Sequence, residues 1–417
     1  MRNPILSSQP APARLTRKAP VPFIALATGM LVSYLPGLFP GGVGVQLSYL
    51  GWMVPLLVCG VVVLRHTRLV SFPLWLWAPW VLWVVAYLLF AEADNALQRG
   101  VMLLTPLVVG AGFSTLRVDA PLIDKFRLWL QRFFWIFVAA AGVSTGLLVS
   151  GQLSATSGFA AGAITASLLA AWYAARFAGG DVRALIYWAV LAAVPVLANT
   201  RTGMVAVALT LPLTLAPLSM TKRLIAVAVL VVAGMGVFQM ERIQNKMFYS
   251  GQGTVSDAVT GMLDLLKGEE PVSQDFATSG RRYVYQALID GLDEAYWLGH
   301  GANTTEAISL AFSEVAHPHN DWLRLRYEYG LLGMLLFVLT MLGQVGHAQK
   351  RLRRMPPEAA IFLWVGAGAF LPMALFMFSD NVILYAAWFG NLQFAMLGLG
   401  YAALRPERRG SNLRATP

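Results

Sequence analysis

The chain has 417 residues, a net charge of +10, 57% hydrophobic residues and only 12% charged ones, with a mean hydropathy of +0.61. Soluble domains carry about twice that charged fraction, so a single aqueous core is excluded and a polytopic membrane protein is expected. The basic balance would suit nucleic acid, but its distribution fits membrane topology instead, so no nucleic-acid partner is expected, and the lone Cys59 excludes an internal disulfide and a cysteine metal cluster.

Residues 1–20 are Pro-rich and basic, with Arg2, Arg14, Arg17 and Lys18. They read as a cytoplasmic tail rather than a cleaved signal, because no small-residue cleavage site stands out and a second apolar run follows the first almost at once. A spanning helix needs about 20 mostly apolar residues. Twelve such spans are expected, at 21–38, 42–64, 70–90, 100–115, 130–150, 158–176, 184–199, 202–219, 224–240, 327–347, 359–378 and 382–403. Counted from an inside start, every short loop on the starting side is basic, including 65–68, 176–183, 221–223 and 350–354. The short loops of the other face contribute only Arg99 and Arg201. This is the positive-inside pattern, and it puts both ends, 1–20 and 404–417, in the cytoplasm.

Residues 241–326 form a long, acidic outer connection between spans nine and ten. "VSDAVTGMLDLL", "RRYVYQALIDGL" and "TTEAISLAFSEVA" each read as short amphipathic helices, so a small helical domain on the membrane surface is expected. No internal repeat suggests an inverted-repeat transporter, and the spans hold almost no charge, which favours surface chemistry over transport.

The outer connection ends on "HPHNDWLRLRYEYGLLG", His317 to Gly333. Asn320 and Asp321 suit a helix N-terminus, and His319, Trp322 and Arg326 then share a face. His319 reads either as a neutral imidazole able to take a proton from a hydroxyl, or as an interfacial histidine bonded to a carbonyl. His317, beside Pro318, reads as a loop residue. His-x-His alone is a weak metal signal, because no further ligands with suitable spacing accompany it, and no metal is expected. Arg201, in the turn "ANTRTGM", stands against the positive-inside bias at bilayer depth; it reads as functional, or as a snorkelling side chain. Arg281 and Arg282 follow a Gly turn and open a helix, which suits phosphate oxygens or, more simply, a solvated pair. Glu92 and Asp94 in "AEADN" read as a solvated loop. No nucleophile elbow, P-loop or HExxH is present.

His319-Asn320, nine residues, Gly330, two residues and Gly333 resemble the H-N-x9-G-x-x-G signature of bacterial O-antigen ligases, within the ligase/polymerase superfamily of surface-polysaccharide assembly. "SGRRYVY", the "TRTG" turn and "WLGHGANT" resemble further elements of that superfamily, so the specific likeness covers about 200–333. The resemblance implies an inverting, metal-independent glycosyltransferase without cofactor, in the bacterial inner membrane. It would move O-antigen from undecaprenyl pyrophosphate to a sugar hydroxyl of lipid A-core at the periplasmic face. It implies that His319 is the essential histidine and that Arg201 and Arg281 bind the donor pyrophosphate, with Arg282 as a further candidate. Asn320, Arg326, Gly330 and Gly333 would support the site. Tyr285 stands where the family often has Trp. The full expectation is an all-α polytopic membrane protein, with about twelve transmembrane helices and a helical periplasmic loop domain at 241–326 between 21–240 and 327–403. A polymerase of the same superfamily would differ in acceptor rather than chemistry. An O-linked protein oligosaccharyltransferase is a second rival to the ligase, and a transporter is a more remote one.

Overall fold

The computed structural model describes residues 20–34, 42–149, 159–268, 275–278, 281–312 and 316–405. The expected tails, apart from Pro20 and residues 404–405, lie outside the described residues, as do the Gly turn before Arg281 and the end of the third amphipathic segment.

The fold is all-helical; among the described residues the only β contact is an isolated bridge between Phe248 and Phe276. Nine apolar helices come first: α1 (Val21–Tyr34), α2 (Gly42–Arg65), α3 (Leu74–Leu89), α4 (Ala96–Ser114), α5 (Ala120–Val149), α6 (Phe159–Ala178), α7 (Ala184–Leu197), α8 (Arg201–Thr210) and α9 (Met220–Phe238). Four short helices follow, α10 (Glu241–Met247), α11 (Val255–Lys267), α12 (Arg281–Asp290) and α13 (Thr305–Phe312). The chain then returns to apolar helices α14 (Asp321–Leu352), α15 (Pro357–Gly368), α16 (Phe370–Phe376) and α17 (Gly390–Ala402). Among the described residues five stretches are long and apolar enough to cross a membrane: α4, most of α5, α9, α14, and α15 with α16. Each expected span coincides with a helix, but several boundaries move for local reasons.

The helix expected over 202–219 stops at Thr210, because Pro212 and Pro217 have no N–H to donate. The loop beyond it is closed by Arg223, which donates to the carbonyls of Pro212, Thr214, Ala216 and Leu218. The fifth helix starts at Ala120 rather than near 130, because its first turns are amphipathic and fall outside an apolar-run criterion. The last helix starts at Gly390 rather than 382, after a run of turns that carries polar residues into the core.

All of α17 is buried, and it packs against α4 and α15 at the centre of the molecule. The α4 contact is a close backbone approach: a Cβ at Gly398 would lie 2.3 Å from the Gly110 carbonyl oxygen, so small residues set the spacing. In contrast, α9 has no buried residue although nearly every side chain is apolar, which is the surface a lipid environment demands.

α14 is broken at Gly330, whose φ of 69° and ψ of −178° are not helical. The loop 296–301 fills the break. His300 and Gly301 N–H groups donate to the carbonyls of Tyr327 and Glu328, and Leu331 and Leu332 donate to Tyr296 and Trp297. A Cβ at Gly330 would lie 2.2 Å from the Trp297 carbonyl oxygen, so only glycine fits. A Cβ at Gly333 would lie 2.6 Å from Trp83 Nε1. The two glycines of the motif thus dock the "WLGHG" loop and α3 onto α14, which fixes the height at which α14 begins.

Candidate active site

α14 begins at a cap. Asn320 Oδ1 accepts the Leu323 N–H at 2.9 Å, satisfying one of the helix's orphan donors. The first turn is tied to the segment between α16 and α17: Trp322 donates from its backbone N–H to Met377 and from Nε1 to Ala374, and buried Asp321 accepts the Ile383 N–H at 2.8 Å. His319, just ahead of the cap, has a φ of 52°, in the left-handed region. Its carbonyl accepts a 2.9 Å hydrogen bond from the Tyr285 hydroxyl on α12. This bracing fixes a strained backbone and with it the direction of the imidazole.

The ring's Nδ1 lies 3.5 Å from Asp380 Oδ1 and 3.3 Å from Asn381 Nδ2. A carboxylate at Nδ1 favours the tautomer with the proton there, leaving the Nε2 lone pair free. The Asn381 amide nitrogen would favour the reverse. Asn381 Oδ1 finds no donor among the described residues, and turning the amide over would place that oxygen against Nδ1–H. The carboxylate therefore decides the tautomer, giving an acid-oriented imidazole with Nε2 available as a base.

Asp380 also lines a cavity of about 180 Å³ that holds Arg201, Lys246 and Arg281. Arg201 Nη2 donates to the carbonyls of Lys246 (3.2 Å) and Ala277 (3.3 Å), and its guanidinium stacks 5.4 Å from the Phe276 ring. Arg281 Nη1 donates to the Ser379 carbonyl at 3.0 Å. Lys246 Nζ donates to the Asn199 carbonyl at 2.5 Å. Burial, and then the neighbouring charge of Arg281, push Arg201 down to about 10. Burial followed by Arg201, Arg281 and Arg242 lowers Lys246. Three cations held together against their own repulsion, with carbonyls and one carboxylate for company, form a receptor for an anion of more than one charge.

Arg201 has a second neighbour. It stands at the rim of an apolar cavity of about 410 Å³, walled by Trp188 and Val196 of α7, Met204 and Ala208 of α8, Leu230 and Val237 of α9, and Met247 of α10. The polar cavity and the apolar one meet at this arginine.

The expected site residues separate into groups. Arg201 and Arg281 come together, and His319 joins them through Asp380. Arg282 turns over the Tyr283 ring, 5.9 Å away, and does not line the polar cavity. Arg326 lies 4.1 Å over the Tyr296 ring and donates to its carbonyl, holding the loop that fills the Gly330 break. Sequence reasoning missed Lys246, Ser379, Asp380 and Asn381. The signal was the "SDN" triplet between two apolar runs, a charge placed where charge is costly.

The fold and this site define a helical membrane protein with a cation-lined cavity beside an oriented histidine. Residues 185–338 match the model of the O-antigen ligase family, and this match supports a place for the chain in the O-antigen ligase/polymerase superfamily, whose members are glycosyltransferase-like enzymes. The matched stretch holds Arg201, Lys246, Arg281 and His319, while Asp380 and Asn381 lie beyond it. No curated protein matches the chain.

Proposed function

We propose that the protein is an O-antigen ligase of the bacterial inner membrane, with twelve spans, both termini cytoplasmic and the 241–326 domain in the periplasm. It transfers O-antigen polysaccharide from undecaprenyl pyrophosphate to a sugar hydroxyl of lipid A-core. The observation that carries this reading is Arg201 at the junction of a cationic cavity and an apolar one. A polyprenyl pyrophosphate has the same division, a double phosphate at the end of an isoprenoid chain.

In the reaction, His319 Nε2 takes the acceptor hydroxyl proton as the oxygen attacks the anomeric carbon of the donor. The bond from that carbon to the pyrophosphate oxygen breaks, and the electron pair leaves with the pyrophosphate. Arg201, Arg281 and Lys246 stabilise the charge that develops there. Asp380 holds Nδ1–H and stabilises the imidazolium that forms. Direct attack inverts the anomeric configuration.

Deletion of the gene in its host, followed by gel analysis of lipopolysaccharide, tests this reading. The expected result is complete loss of the ladder, with long polymer retained on the lipid carrier, and restoration by wild type but not by His319→Ala. Core carrying a single repeat unit would instead identify the polymerase. An unchanged ladder would remove both.

A further inference from the structure

A second group of cations stands near His319, outside the polar cavity. Arg99 lies in the first turn of α4, and its side chain is 23% exposed. Its acidic neighbour Glu306 is 3.8 Å away, and Glu306 is already bonded by Asn303 Nδ2 at 2.8 Å and approached by Asn95 Nδ2 at 3.5 Å. Arg99 Nε is buried with no hydrogen-bond partner among the described residues. Arg324, 2% exposed, likewise leaves Nε and Nη2 without an acceptor. Its two carboxylates are engaged elsewhere, Asp321 with the Ile383 N–H and Glu328 with the Thr305 hydroxyl. A buried donor without an acceptor is costly, so these groups await an anion.

Beside them is His317. Burial, and after it the charges of Arg99, Arg324 and His319, hold it down to about 3, so its ring is neutral at any ordinary pH and offers an N–H without adding a charge. His317 is two residues from His319, and neither it, Arg99 nor Arg324 lines the cavity of Arg201 and Arg281.

We propose that Arg99 and His317, backed by Arg324, form an acceptor subsite that takes an anionic group, phosphate or carboxylate, on the incoming glycolipid. The inference rests on the ligase reading and deepens it: one set of cations holds the leaving group, and the other holds the acceptor so that its hydroxyl meets His319. A cation on this face of the molecule runs against the positive-inside bias, as it does at Arg201.

The test is binding of purified lipid A-core to the full-length protein in detergent, with donor turnover measured separately. Three glycolipids are compared: intact, phosphatase-treated and carboxyl-reduced. Arg99→Gln should weaken binding of the intact form by about tenfold or more, and Arg99→Lys by clearly less. One of the two treatments should weaken binding to wild type to the same degree and have no further effect on Arg99→Gln; which one does so identifies the anion. The KM for the lipid-linked donor should stay within about twofold. Equal binding of intact glycolipid by wild type and Arg99→Gln would overturn the subsite, and so would a wild type indifferent to both treatments. The latter comparison stands even if Arg99→Gln does not fold. If wild type binds glycolipid through Arg99 yet transfers nothing to it, the subsite stands and the ligase reading falls; transfer without any Arg99 dependence has the reverse meaning.

Discussion

His319 carries two demands at once, a left-handed backbone and a proton-accepting ring. An alanine there loses the ring and still bears the strain, about 1–2 kcal/mol. Asparagine tolerates the left-handed region, so His319→Asn is the cleaner variant: it should insert and melt like wild type and transfer nothing. Asp380→Asn should lower kcat by about 10²- to 10⁴-fold with little change in donor KM, since it acts through the imidazole. Arg201→Ala and Arg281→Ala should instead raise donor KM by about tenfold or more and also slow the chemical step, because they face the pyrophosphate. Steady-state kinetics that varies donor and acceptor separately distinguishes these outcomes. The histidine and the two arginines were legible because each breaks a local rule, as a charge or a cap where the surroundings are apolar. Asn381 was not, because its relation to His319 spans 62 positions and exists only after α14 and α16 pack. Lys246 looked like an ordinary loop lysine; only its inward turn to the Asn199 carbonyl gives it a role.

Single elements supply their own tests. Gly330→Ala meets both a positive φ and the Trp297 carbonyl, so it should lower Tm by the equivalent of about 1–3 kcal/mol or prevent accumulation. Circular dichroism melts in detergent would show this. Thr254 caps α11 in a reciprocal box with Asp257, and Thr254→Ala should cost about 1 kcal/mol, confined to the outer helices. Below pH 6.5 the unfolded chain takes up a proton at His317 that the folded chain refuses until about 3. Stability should therefore fall as pH drops through that window, by at most about 1.4 kcal/mol per unit, and His317→Gln should flatten the slope. The outer helices α11, α12 and α13 were legible from amphipathic spacing. The shortness of α8 and the break in α14 were not. Hydropathy sees apolar content, whereas Pro212 and the loop docked at Gly330 act through backbone hydrogen bonds.

Across the whole molecule, the apolar runs and the basic loops expose an all-helical membrane protein at first reading. The architecture then brings the ends of distant segments to one place: the α7–α8 turn, the loop after α9, the start of α12, the start of α14 and the turn after α16. No spacing in the sequence announces that convergence, because it depends on which helices are neighbours. In the proposed reaction this convergence transfers a lipid-linked polysaccharide to a glycolipid hydroxyl with His319 as base. The decisive assay reconstitutes the purified protein in liposomes with undecaprenyl-pyrophosphate-linked O-antigen and lipid A-core, and follows covalent product for wild type and His319→Asn. Wild type should join polysaccharide to lipid A-core with inverted anomeric configuration, and the variant should join none. Transfer by His319→Asn at the wild-type rate, or lengthening of the lipid-linked polymer with nothing added to lipid A-core, would contradict the proposed reaction.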